Sequence, residues 1–86
     1  MLMFYVYIIR SLKDGSYYIG STSNLGKRIK RHNRGHSIST KNKKPFTLVY
    51  KKEYKIRSEA VREERRIKSQ KSKIYIENLI KAQLGP

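Results

Sequence analysis

The run from Met3 to Arg10, with Phe4-Tyr5-Val6-Tyr7-Ile8-Ile9 at its centre, constrains the fold of this chain more than any other stretch. It is rich in β-branched and aromatic residues, which favour a strand. Both alternating sets are apolar: Phe4, Val6 and Ile8 on one side, Tyr5, Tyr7 and Ile9 on the other. A strand that is apolar on both sides needs cover on both sides, and this predicts a central strand. At 86 residues the chain is read as one domain, spanning 1–86, with a modest core.

Asp14-Gly15 marks a turn, because glycine tolerates positive φ and Asp bonds its own backbone. Tyr17 to Ser21 is the return strand, and Tyr17-Tyr18-Ile19-Gly20 leads through a tight glycine turn into a helix. Asn24 is a favoured helix N-cap, Leu25, Ile29 and His32 follow at helical spacing, and Gly35 is the stop. Gly26 in the first turn weakens this helix slightly, so packing must support it. His36 to Pro45 reads as a basic loop. Phe46 to Tyr54 is a third strand, with Leu48 and Tyr50 expected on one face and Val49 on the other. Ser58 is expected to cap a second helix of about a dozen residues. Lys71-Ser72-Lys73 breaks the chain before a third helix carrying Ile74, Ile76, Leu79, Ile80 and Leu84 and ended by Gly85-Pro86. The expected fold is α+β: a three-stranded antiparallel sheet flanked by three helices, in the order β-β-α-β-α-α.

Charge narrows the function. The chain carries 21 Lys and Arg against six acids, for a net charge of +15. No acid occurs between Asp14 and Glu53, where Lys27, Arg28, Lys30, Arg31, Arg34, Lys41, Lys43 and Lys44 cluster. Such a one-signed region, together with Lys68, is the footprint of a polyanion-binding surface. DNA is the expected partner, with RNA as the second polyanion of matching charge. No basic segment has a bulky apolar opposite face, so a membrane surface is not expected. The apolar N-terminal run is too short to span a bilayer, which needs about 20 residues. It also lacks a basic n-region and a cleavage site. With no cysteine, a disulfide framework and a thiolate zinc site are excluded, in keeping with a cytoplasmic location. Walker-type loops, nucleophile elbows and zinc-finger spacings are also absent.

One carboxylate is out of place. Ala60, Val61, Ile67 and the stem of Lys71 define the inner stripe of the second helix, and Glu64 falls in its middle. A carboxylate there needs a partner. Two readings remain open: an ion pair with Arg28 or a nearby lysine, or a ligand for a hard divalent cation. Glu59 and Glu63 fall on a different face. The other acids are scattered, so metal chemistry would rest on one ion and one carboxylate. Arg28 and His32, four apart, share a helix face. A guanidinium there suits phosphate, while a histidine there is either a helix-end residue or a proton carrier. The Lys-Ser pattern from Lys68 to Lys73 has no role in this reading.

Four motifs stand in order: Tyr5-Val6-Tyr7, Tyr18-Ile19-Gly20, Asn24-Leu25-x-x-Arg28-x-x-x-His32, and Arg62-Glu63-Glu64-Arg65-Arg66-Ile67-Lys68. Together they resemble the GIY-YIG nuclease family, and most closely its small stand-alone members similar to the N-terminal nuclease domain of the bacterial excision-repair nuclease. The resemblance implies a metal-dependent endonuclease that hydrolyses DNA phosphodiesters with low sequence specificity, in repair or recombination. The alternative is a non-catalytic nucleic-acid-binding module that keeps the fold. The resemblance makes Tyr7 and Tyr18 the motif tyrosines, one of which, Tyr7 before Tyr18, would orient or deprotonate water. It further implies that Arg28 holds the phosphate, His32 assists the tyrosine and Glu64 binds a single Mg²⁺ or Mn²⁺. Tyrosine is a weak base at neutral pH, so Arg28 and the ion would have to lower its pKa. Tyr5 departs from the family glycine, and Ser21 and Thr22 stand where the repair enzymes carry a lysine. Asn78 falls near a late family asparagine. A monomer or weak dimer, recruited by charge or by a protein partner, completes the expectation.

Overall fold

The computed structural model describes residues 2–35 and 40–84; His36 and the Gly85-Pro86 stop lie outside the described residues. Strands β1 (Phe4–Ser11), β2 (Tyr17–Thr22) and β3 (Phe46–Tyr54) and helices α1 (Leu25–Asn33), α2 (Arg57–Ser69) and α3 (Lys73–Leu84) follow the expected order, β-β-α-β-α-α. The sheet is antiparallel, β2-β1-β3, with β1 in the centre. Val6, Ile8 and Ile9 of β1 are fully buried, as two-sided cover requires.

The two faces of β1 serve different helices. Val6 and Ile8 pack with Ala60 and Ile67 of α2 and Ile76 of α3. Tyr7 and Ile9 pack with Phe46 and, more loosely, with Tyr18, Leu25, Ile29 and Leu48. The α1 side of the sheet therefore holds both motif tyrosines, and the α2 side holds the larger apolar core.

Five local expectations are corrected. A register shift between Ile8 and Ile9 pairs Ile8 with Tyr50 and Ile9 with Leu48, leaving Val49 as the extra residue. Such a bulge inverts the alternation. Leu48 joins the α1 side, while Tyr50 and Val49 join the α2 side. Gly20 does not form a turn; it lies inside β2 opposite Tyr7. The N-cap of α2 is Ile56, without a side-chain hydrogen bond, and Ser58 lies within the first turn. Lys71 falls beyond the end of α2, at φ 47°, and does not extend its inner stripe. In α3, Ile76 is buried but Ile74 and Leu84 are exposed, so its inner stripe is narrower than the sequence suggests.

Turn chemistry fixes the β1–β2 hairpin and attaches the basic loop to it. Gly15 takes φ 79° and donates its N–H to Ser11. The buried Ser11 hydroxyl donates to the Lys43 carbonyl at 2.6 Å and accepts from the Lys13 and Asp14 amides. Asp14 pairs with Lys43 at 2.6 Å. Asn24 caps α1 by accepting from the Lys27 amide, and Gly35 at φ 77° closes it. At the far end of α1, Asn33 Oδ1 accepts from the Phe46 amide at 2.6 Å, tying the helix to the start of β3.

Candidate active site

The site begins with a close approach inside the sheet. Gly20 and Tyr7 are register partners in the β1–β2 ladder, and the Tyr7 ring lies across Gly20. A Cβ at position 20 would come within 2.6 Å of the Tyr7 Cζ, so only glycine leaves room for the ring. From there the Tyr7 hydroxyl reaches His32 Nε2 at 3.0 Å. The other ring nitrogen, Nδ1, lies 2.9 Å from the Thr40 hydroxyl. His32 is thus held from both sides, and it is 8% exposed. The chain Tyr7–His32–Thr40 spans β1, α1 and the basic loop. Nothing in the sequence marked Thr40, which lies beyond α1 and is 1% exposed.

Electrostatics follow from burial among cations. Burial pushes the Tyr7 hydroxyl above its ordinary pKa, and the neighbouring Arg28 guanidinium pulls against that rise without cancelling it. For the protein alone, the expected lowering of Tyr7 is therefore corrected. Burial holds the His32 imidazole below its ordinary pKa, with the Arg28 and Arg31 charges acting in the same direction. His32 is then neutral at pH 7. One of its nitrogens donates and the other accepts.

Glu64 approaches from the opposite side of the sheet. Ser21 is the register partner of Val6 and therefore faces α2. Its hydroxyl donates to Glu64 Oε1 at 2.6 Å, and Lys68 Nζ donates to Oε2 at 2.6 Å. Burial works against ionisation of Glu64. The bonds from Lys68 and Ser21, with the Lys68 and Arg28 charges, outweigh it and hold the pKa below the carboxylate norm. Ser21, one of the two residues at the position where the resemblance implies a lysine, thus orients the carboxylate.

The structure brings Tyr7, His32 and Arg28 together, with Glu64 within electrostatic range of both Tyr7 and Arg28 around the end of β2. Tyr18 shares their face and stacks edge-on against Phe46, with centroids 5.4 Å apart. Beside Arg28 lies an open recess of about 370 Å³, bounded by Lys27, Arg28, Arg31 and the Thr22–Asn24 segment. Lys41 and Lys44 converge on Gly35, near the end of α1. Lys30 and Arg34 are exposed on the same basic stretch. Lys43 and Lys68 are already engaged, by Asp14 and Glu64 respectively.

Among the described residues, no three His, Cys, Asp or Glu side chains gather as a metal cage. A lone carboxylate still suits Mg²⁺, which keeps several waters and binds through one or two carboxylates plus substrate phosphate. The ionised, partly exposed Glu64 fits that mode, with Lys68 as the group it would have to release. No described helix is long and apolar enough to cross a membrane.

Sequence and fold are shared with known proteins. The model of the GIY-YIG catalytic domain matches residues 3–80. The chain is 43% identical over 70 residues to a UPF0213 protein of Staphylococcus haemolyticus, covering 80% of this chain and 84% of that one. It is 39% identical over 66 residues to a UPF0213 protein of Staphylococcus aureus, covering 76% and 79%. The solution structure of a UPF0213 protein from Bacillus halodurans superposes with a TM-score of 0.62 at 36% identity, covering 99% of this chain and 89% of that one. GIY-YIG nucleases act on DNA and generally use divalent metal ions. With a family model matched over most of its length, relatives at about 40% identity and a solved structure sharing its fold, this chain belongs to the GIY-YIG family of nuclease catalytic domains.

Proposed function

We propose that this protein is an endonuclease that hydrolyses DNA phosphodiesters with Mg²⁺ or Mn²⁺ at Glu64, with little sequence specificity, on substrates of repair or recombination. The carrying observation is the Tyr7–His32 hydrogen bond at 3.0 Å, set beside an arginine that acts on both Tyr7 and Glu64. The recess beside Arg28 seats the scissile phosphate, where a guanidinium fork matches two phosphoryl oxygens. Among the described residues all three helices pack on the sheet and none is left over to read base edges, which keeps specificity low.

Proton transfer follows from the two pKa directions. The raised Tyr7 does not ionise in advance. It relays instead: the attacking water gives a proton to the Tyr7 oxygen while the Tyr7 proton passes to the neutral His32 Nε2. This requires the His32 tautomer that carries its hydrogen on Nδ1, facing the Thr40 hydroxyl. A bond forms between water oxygen and phosphorus, the phosphorus–oxygen ester bond breaks, and the leaving oxygen takes a proton from solvent. Glu64 would hold the divalent ion, which would supply positive charge to the reacting phosphate. Tyr18 orients the water from the same face.

A binding module without cleavage is the second reading, and it draws on the 2% exposure of Tyr7, which closes the hydroxyl from bulk water. Supercoiled and branched DNA with Mg²⁺ or Mn²⁺ separates the two. Wild type should cut, and Glu64→Ala should lose about 100-fold or more in rate while still binding. Binding by both should weaken steeply with salt. If neither protein cuts any substrate, the binding module stands; if both cut equally, Glu64 has no part in the reaction.

A further inference from the structure

On the α2 side of the sheet, away from the Arg28 recess, lies a second cavity of about 450 Å³ between the β1–β2 turn and the α2–α3 break. Its size is within the about 300–1,000 Å³ usual for small-ligand sites. The floor is apolar, made by Ile19 of β2, Ile67 of α2 and Ile76 of α3, with Tyr17 as one wall. The Tyr17 ring is fixed: Arg10 lies over it at 6.0 Å and its hydroxyl donates to Glu77 at 3.4 Å. The rim is Lys68, Lys71 and Lys73, the Lys-Ser stretch that the reading of the sequence left without a role. Among the described residues neither Lys71 nor Lys73 is in an ion pair, and the one acid at the lip, Asp14, is paired with Lys43.

We propose that this cavity binds an unpaired nucleotide of the substrate strand, its base on the Tyr17–isoleucine floor and its phosphate among the lysines of the α2–α3 break. The chemistry selects the occupant. Cations on the rim call for an anion, and the apolar floor calls for a flat apolar body attached to it. Duplex DNA meets only the first demand, because its bases are stacked inside and it presents sugar and phosphate outward. An unpaired nucleotide meets both, in the manner of single-strand sites that combine a cationic track with an aromatic platform. Lys68 makes the cavity continuous with the reaction centre, since it lines the rim and holds Glu64 Oε2 at 2.6 Å. A phosphate arriving at the rim attracts the Lys68 ammonium and frees that oxygen. This role rests on the DNA-cleaving assignment, and Glu64 itself is left untouched in the binding measurements.

The experiment measures binding of a short single-stranded oligothymidylate and of a duplex of equal phosphate number, at fixed salt without metal. The proteins are wild type, Lys71→Ser/Lys73→Ser and the charge-matched control Lys51→Ser/Lys55→Ser. The rim variant should lose about tenfold for the single strand and much less for the duplex, while the control loses similar, smaller factors for both. Amide shifts on adding the oligonucleotide should include Ile19 and Ser72. Equal losses in the two variants, or shifts confined to the Lys27–Arg31 stretch, would overturn the proposal. Cleavage by Lys71→Ser/Lys73→Ser and by Glu64→Ala is read separately. A cutting rim variant with unchanged single-strand affinity sinks the nucleotide site alone, and a fully active Glu64→Ala sinks the catalytic assignment alone.

Discussion

At the residue scale, Gly20 shows how the site depends on an atom that is not there. The Tyr7 ring occupies the space a side chain would need, and that overlap aims the hydroxyl at His32. Gly20→Ala should destabilise the protein by about 1–3 kcal/mol through overpacking. It should also remove cleavage, because the ring can escape the new methyl only by leaving His32. Thermal melts and a cleavage assay on the same preparation check both effects, and a stable, active variant would contradict the geometry. Helical spacing placed Glu64 on the inner stripe between Ala60 and Ile67, but Glu63, expected on a different face, is as little exposed (16% against 19%) and pairs with Arg66. The Glu64 partner Ser21 looked like a mere departure from a family lysine. Thr40 was invisible, because contacts from a loop leave no periodic trace.

At the element scale, the order and type of all six elements were legible, and the central place of β1 followed from its two apolar faces. The bulge at Val49 was not, because it depends on how β3 fits its neighbour rather than on β3 itself. Helix starts show the same divide. Asn24 caps α1 through its side chain, whereas α2 starts at Ile56 with none, although Ser58 is the better capping residue by type. Packing of Ala60 and Ile67 on the sheet sets where α2 begins. Asn24→Ala should therefore cost about 1 kcal/mol, and Ser58→Ala should stay within about 0.5 kcal/mol. Denaturant midpoints of the two variants test this, and equal losses would show that Ser58 caps after all.

At the scale of the whole molecule, several titrating groups act in one direction. The His32 pKa lies below its ordinary value, so as pH falls through about 6.5 the unfolded chain binds a proton that the folded one resists. Glu64 and Asp14 are held below the carboxylate norm, and the stability they lend is present above about 4.5 and lost as pH falls further. Melting temperature should therefore drop from pH 7 to pH 5, and His32→Gln should flatten that first part of the curve. A melting temperature that rises toward pH 5 would mean that His32 is not buried as a neutral ring. The overall basic surface was plain from charge alone, but the gathering of β1, α1 and α2 side chains around the end of β2 emerges only with the fold. One further contact matters at this scale. Gln83 of α3 accepts from the Lys51 amide at 3.2 Å and donates to its carbonyl, so a side-chain amide occupies the outer hydrogen-bonding sites of β3 at Lys51. Polyanions gather basic proteins side by side and mask the repulsion that keeps them apart. Under that crowding, bare strands would be free to zip together from one copy to the next. A single glutamine takes the place of the first intruder, so zipping along β3 from one copy to the next is interrupted at Lys51.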